Sequence, residues 1–276
     1  MDLDGARRIG FRVEQSFRYA YAAPVTALAQ RLVVVPRRRH GDLHRRSHRL
    51  AVTGAAHARR VRQDAAGNTV VRVVAARVEQ AVEFRLTATL DRVVDDGPPE
   101  LPAAALRAPR ALRATRLTEP DDALRELADR CRGADHRETA ERACTVAHAA
   151  LTYEYGVTSV RTTAAQALAG GRGVCQDSAH VMLAMCRLLG VPSRYVSGHL
   201  VGQGGTHAWV EVLVPHGDRA VALAFDPCHG RPAHHGYVTV AVGRDYADVA
   251  PTSGTYVGAP GGTLTGSREV TVVSVE

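Results

Sequence analysis

The sequence predicts an α+β protein. An antiparallel β domain comes first, followed by a core in which a cysteine-bearing helix packs on an antiparallel sheet. Three observations predict it. Apolar and polar residues alternate with the period of a half-buried strand through most of residues 1–94. A Pro/Gly-rich break falls in 95–110, around "DDGPPELPAAALRAP", and helical periodicity starts only beyond it. Strand-like runs return after the last helix, so residues 111–276 carry both kinds of element. The expected organisation is a β domain over 1–94, a linker over 95–110, and a core with a C-terminal β segment over 111–276.

The front elements follow from alternation. In "FRVEQSFRYAY" (11–21), Phe11, Val13, Phe17, Tyr19 and Tyr21 fall on one side of an extended chain, opposite mostly polar residues. "RLVVV", "HRLAV", "TVVRVVAARV" and "VEFRLTATL" are β-rich, and Gly67-Asn68 marks a turn between two of them. Past the break, "LTEPDDALRELADRC" reads as a helix with Thr118 as cap, Pro120 in the first turn, and Leu124, Leu127 and Ala128 inward. "ETAERACTVAHAAL" reads as a second helix, and "TAAQALAGG" as a short third that stops at Gly170.

The next helix carries the chemistry. Cys175, Ala179, Met182, Cys186 and Leu189 share one face of a pattern that ends at Gly190 and Pro192. Cys175 sits in the first turn, where unpaired backbone N–H groups and the helix dipole stabilise a thiolate and make the sulfur a nucleophile. Gly170, Gly171 and Gly173 leave room for a substrate carbonyl to approach, and backbone N–H groups there could hold an oxyanion. A structural cysteine at a helix start has the same local pattern, so its partners have to decide. In "THAWVEVLVP", His207, Trp209, Glu211 and Leu213 alternate with Ala208, Val210, Val212 and Val214, placing His207 at the head of a strand. "AVALAFDPC" is an apolar strand that ends at Asp226, with Pro227 blocking its continuation. A helix-borne Cys followed by a strand-borne His and Asp is the arrangement of papain-like enzymes.

Composition limits the function classes. Hydrophobic content of 45% and charged content of 23% are those of a soluble globular protein, and no apolar run is long enough to span a bilayer. The opening residues contain no apolar signal core, so a cytoplasmic protein without a membrane partner is expected. The five cysteines, at 131, 144, 175, 186 and 228, have no repeating spacing and read as free thiols. The net charge of +7 comes with 35 basic residues, all of them arginine. The densest basic stretch, "PRRRHGDLHRRSHR", lacks interleaved aromatics, so no nucleic-acid partner is expected.

"GRGVCQDSAHVMLAMCRLLGVPSRYVSGHL", "THAWVEVLVP" and "FDP" resemble the three core motifs of the bacterial transglutaminase-like family, and "VTVAVGRDYADVAPTSGTY" resembles the segment that follows them. At the front, "FRVEQSFRYAYAAPV", "LVVVPR" and "DAAGN" are similar to the β domain of the same group, so the resemblance covers nearly the whole chain. It implies a papain-like, transglutaminase-like core with a catalytic triad of Cys175, His207 and Asp226 and no cofactor. His207, oriented by Asp226, would take the Cys175 proton, and the thiolate would attack an amide or thioester carbonyl to form a thioester acyl-enzyme. Water or an amine would then release the acyl group. The expected activity is hydrolysis of amide or isopeptide bonds in a peptide, protein or carrier-bound acyl substrate. The alternatives are an acyltransferase that forms amides with small or carrier-bound amines, and a non-catalytic binding protein on the same fold.

The remaining site expectations surround that triad. The Cys175 N–H is the expected oxyanion donor, with Tyr155 or Gln166 as side-chain donors and Gln176 in support. Trp209 is expected to line the cleft beside His207. Two departures from the family pattern fall at the acyl pocket: Ser178 where an aromatic usually stands, and Cys228-His229 in "DPCH" where Asp-Pro-Thr-Asn is usual. Cys228, His229, His234 and His235 have no finger or zincin spacing, and no metal is expected.

Overall fold

The computed structural model describes Leu3 and residues 5–276. Two antiparallel sheets make the front half. In spatial order, one consists of Gly202–Gln203, Gly262–Val275, Arg8–Tyr21, Ala81–Val93, Leu43–Thr53 and Arg39–His40. The other consists of Thr252–Val257, Val25–Leu32, Thr69–Val78 and Ala58–Gln63. Alternation explains their packing: Leu28, Leu32, Val71 and Val73 from the second sheet meet Val82, Phe84 and Leu86 from the first in one buried cluster.

Two boundary expectations need correction. The C-terminal β segment belongs to the front domain, because Thr252–Val257 pairs with Val25–Leu32 and Gly262–Val275 pairs along the length of Arg8–Tyr21. Arg8–Tyr21 has two edges to satisfy, and the chain supplies the second partner from its far side. Residues 95–110 are also more than a linker. Glu100–Pro102 pairs with Arg219–Asp226 as an extra strand of the core sheet, and Leu101, Ala105, Leu106 and Ala111 pack on Leu213 and Ala222.

The core is a sheet with helices on one face. Its strands run Arg231–Pro232, Arg219–Asp226, His207–His216, Ser193–Leu200 and Tyr237–Gly243, all antiparallel. The helix Cys175–Leu188 lies on this sheet and is covered by the helices Asp122–Asp129, His136–Ala150 and Ala164–Gly170. Every residue from Gln176 to Arg187 is buried, as expected for a helix enclosed on all sides. Asp121, not Thr118, caps the first of the covering helices, its carboxylate accepting from the Leu124 N–H at 2.9 Å. Thr118 is buried instead and accepts a hydrogen bond from Arg187 Nη1 at 2.8 Å.

The two halves are joined by polar contacts. The Asn68 side chain donates to the Val242 carbonyl at 2.8 Å and accepts from its N–H at 2.9 Å, and Arg92 Nη2 donates to the Tyr237 carbonyl at 2.8 Å. Among the described residues, no helix is long and apolar enough to cross a membrane.

Candidate active site

Cys175 is the first residue of its helix, and the geometry ahead of it is built by Asp177. Asp177 Oδ2 accepts from the Val174 N–H at 2.8 Å and from the Thr158 hydroxyl at 2.7 Å. Burial raises the Asp177 pKa, and these two bonds oppose the rise. A Cβ at position 173 would stand 2.7 Å from the Asp177 side chain, so only glycine lets the turn approach this closely. The helix start therefore presents the thiol at a fixed place, 4.0 Å from the Thr206 carbonyl and half-buried.

Thr206 leads directly into His207, the first residue of its strand. His207 Nε2 lies 2.7 Å from Asp226 Oδ2, at the end of the neighbouring strand. Burial alone would lower the His207 pKa. The bond to Asp226, the nearness of the Cys175 sulfur and the negative charges on both outweigh it and push His207 up to about 9. Trp209, one pleat further along the same face, lies under the imidazole with ring centroids 6.2 Å apart and planes 29° apart. Gly198 makes room for it, because a Cβ there would stand 2.4 Å from the indole ring.

Asp226 is fully buried and heavily hydrogen-bonded. Oδ2 accepts from His207 Nε2 at 2.7 Å, His229 Nδ1 at 2.7 Å and the Tyr237 hydroxyl at 2.6 Å. Oδ1 accepts from the backbone N–H groups of Cys228 at 2.9 Å and His229 at 3.2 Å. Burial works to raise this carboxyl group, but the bonds from His207, Tyr237 and His229 hold it well below the usual carboxylate range. An ionised Asp226 fixes the tautomer of its partners. His207 therefore carries a proton on the Nε2 that faces Asp226.

The structure thus brings Cys175, His207 and Asp226 together. Gln176 and Ser178 are buried within the first turn of the helix, and the Gln176 amide donates to the Ser159 carbonyl at 3.3 Å as a structural tie. Cys228 is half-buried beside the site. Burial, then the charges of Cys175 and Asp226, push its thiol up to about 12. His229 touches Asp226 directly.

The expected supporting residues are placed as follows. Trp209 is 1% exposed, stacks on His207, packs with Val196, Tyr237 and Val242, and is one of the residues lining a cavity at the edge of the core sheet. Tyr155 is 87% exposed, and its side chain makes no hydrogen bond among the described residues. Gln166 caps its own helix, with Oε1 accepting from the Thr163 N–H at 3.0 Å. Two other tyrosines feel the charge of Cys175. Tyr153 lies opposite Gly173 in a short parallel pair, and its pKa is raised by burial and then by the charges of Cys175 and Cys228; buried Tyr195 is raised by burial and then by Cys175. Tyr237 was also missed, because it opens an ordinary apolar strand.

The cysteine- and histidine-rich turn disperses. His235 Nδ1 faces the Leu3 carbonyl at 3.0 Å, and the His234 ring packs edge-on against Tyr237. His207 Nε2, Asp226 Oδ2 and His229 Nδ1 lie within 4.8 Å of one another, a spacing that a metal ion could also use. Each of these atoms is already engaged in a 2.7 Å hydrogen bond, which accounts for the cluster.

Comparisons with known proteins show what the chain is similar to. Residues 125–223 match the transglutaminase-like superfamily, and residues 11–91 match the bacterial transglutaminase-like N-terminal region. An uncharacterized protein of Mycobacterium tuberculosis is 31% identical over an alignment covering 92% of this chain and 89% of that protein. An uncharacterized Mycobacterium leprae protein is 39% identical over 122 residues, 41% of this chain and 42% of that protein. The crystal structure of a candidate cysteine protease from Cytophaga hutchinsonii superimposes with a TM-score of 0.79 at 21% identity, covering 98% of this chain and 92% of that one.

Proposed function

The chain belongs to the bacterial transglutaminase-like family, and from that premise we propose that it is a cysteine hydrolase of amide or isopeptide bonds, working through a thioester on Cys175. The observation that supports the reading is the position of His207, with Nε2 bonded to buried Asp226 and the Cys175 sulfur 4.0 Å from the carbonyl of Thr206, the residue directly ahead of His207.

Each step uses a group in place. His207 Nδ1 takes the thiol proton, and the imidazolium is held by Asp226. The thiolate attacks the acyl carbonyl, and the developing oxyanion is held by the Cys175 backbone N–H at the helix start. The imidazolium returns its proton to the leaving amine, which departs and leaves the acyl group on sulfur. His207 then takes a proton from water, and hydrolysis frees the thiol. An amine in place of that water would make the same protein an acyltransferase. The acyl donor in this reading is a peptide, a protein or a carrier-bound group, and the five free cysteines suit a reducing, cytoplasmic setting.

The test is intact-mass trapping of the acyl-enzyme from cell extract, with the Cys175→Ala variant as control, followed by a choice of water or amines as second substrate. A mass increment on wild type that is absent from the variant is the expected result. Preferential release by an added amine would establish acyl transfer in place of hydrolysis. No increment from any extract would make the fold a binding protein.

A further inference from the structure

His229 is not used in the reaction as written, yet it is bonded to the group that orients the base. Its Nδ1 lies 2.7 Å from Asp226 Oδ2, the same oxygen that holds His207 Nε2 at 2.7 Å and the Tyr237 hydroxyl at 2.6 Å. The two imidazole rings are 5.2 Å apart. The His229 side chain is 42% exposed, whereas that of His207 is 10% exposed. Resting on the triad reading above, we propose that His229 is a positioning residue that sets the proton affinity of His207 by taking a share of the Asp226 charge.

The argument concerns one oxygen with three donors. Each donor stabilises the carboxylate and reduces what the imidazolium of His207 gains from it. Because Asp226 is ionised, the His229 nitrogen that faces it carries a proton, and its other nitrogen is directed away from the carboxylate. Whether His229 as a whole is neutral or cationic, its effect on His207 has the same sign. A neutral donor draws on the carboxylate, and a cation adds repulsion across 5.2 Å. Removing His229 therefore leaves His207 protonated to higher pH. The consequence for the reaction is a balance, since the imidazolium has to hold a thiolate and then surrender its proton to a leaving amine.

The other titratable groups around the pair come from every neighbouring element. They are Cys175 on its helix, Cys228 in the turn, Tyr237 with Arg231 and His234 beside it, Cys144 and His148 on the helix His136–Ala150, the latter bonded to the Cys228 carbonyl, and Tyr153. All of these stay in place when only His229 is changed, so the difference isolates its contribution.

The experiment reads His207 directly by NMR titration of its ring in Cys175→Ala protein, with and without His229→Ala or His229→Asn. It requires no activity, so it stands apart from the fate of the proposed reaction. In the Ala variant the His207 midpoint should move up by about half a pH unit, roughly a threefold change in proton affinity. In the Asn variant it should return towards the parent value, because the Asn amide can donate to the same oxygen. In the otherwise wild-type enzyme, His229→Ala should slow amide substrates more than activated esters, whose leaving groups need no proton. A His207 midpoint that stays put or moves down in the Ala variant would overturn the proposal, as would an Asn variant indistinguishable from Ala.

Discussion

His40 Nε2 lies 2.6 Å from Glu211 Oε1, so a histidine of the front β domain is hydrogen-bonded to the strand that begins with His207. Arg194 Nε holds the other Glu211 oxygen at 2.5 Å, and the carboxylate is 2% exposed. Burial works to raise the Glu211 pKa, but the charge of Arg194 and the hydrogen bonds from Arg194 and His40 bring it down to about 2, while burial lowers the His40 pKa and favours a neutral imidazole in the pair. A depressed carboxyl group stabilises the fold fully above its ordinary value near 4.5 and loses that contribution as pH falls towards 2. Thermal midpoints measured from pH 6 to pH 2 should fall more steeply for wild type than for Glu211→Gln. Parallel curves would show that the pair does not govern acid stability.

Thiol reactivity should be confined to one cysteine. Burial pushes the thiols of Cys131 up to about 11 and of Cys144, Cys186 and Cys228 up to about 12, whereas Cys175 opens a helix next to His207. Limiting iodoacetamide near pH 7 should label Cys175 ahead of the other four, read by peptide mapping. Equal labelling, or a fully active Cys175→Ala variant, would sink the nucleophile assignment.

Asp226 should be unforgiving. Replacement by Ala leaves His207, His229, Tyr237 and two backbone N–H groups without their acceptor, so it should cost orders of magnitude in turnover and about 3 kcal/mol of stability. Asp226→Asn should not rescue it, because both carboxylate oxygens accept and an amide would turn an NH2 towards one set of donors. Chemical denaturation and kinetics of both variants check this. An Asn variant with wild-type kinetics would remove the carboxylate from the mechanism.

With His207 pushed up to about 9, kcat/KM should decline above about pH 9 as the imidazolium is lost. The stability linkage has the same direction. A raised histidine stabilises the fold fully below 6.5 and loses that contribution as pH rises to about 9. Wild type should therefore lose more of its thermal midpoint across this window than His207→Gln does. A basic limb centred near pH 7 would contradict the tight His207–Asp226 bond.

The absence of lysine gives a prediction about products. If the enzyme transfers acyl groups to amines, it has no lysine side chain to offer and should not polymerise itself even when concentrated. A denaturing gel after incubation with glutamine-rich and lysine-rich proteins reads the outcome. Heteropolymers that form with wild type and vanish with Cys175→Ala would show that it cross-links proteins.

What could be read from sequence was local. The helix at Cys175, and the positions of His207 and Asp226 at strand ends, follow from periodicity and from Pro227. Alternation also gave the correct faces of His207–His216, but a face is not a depth. Trp209 is buried among Val196, Tyr237 and Val242 from the neighbouring strands, which no local pattern records. The partner of Arg8–Tyr21 was hidden for the same reason, since pairing across the whole chain leaves no mark in either strand. Gln166 was an avoidable miss. Thr163 followed three residues later by Gln is a capping-box signature, and the structure uses it as one.

The pairing of Arg8–Tyr21 with Gly262–Val275 also sets the order in which the protein can be assembled during synthesis. The first long strand leaves the ribosome early, but one of its two neighbours is delivered only after the entire enzymatic core. Until then it presents an open row of backbone donors and acceptors, which other nascent chains can add to. The core, by contrast, draws its sheet and helices from residues made in one stretch, apart from Glu100–Pro102 just ahead of them. It can be complete while the β domain is still waiting. A gene permuted to place Gly262–Val275 directly ahead of Arg8–Tyr21 would turn a pairing of very high sequence separation into a hairpin, and should shorten the interval in which the growing chain depends on chaperones.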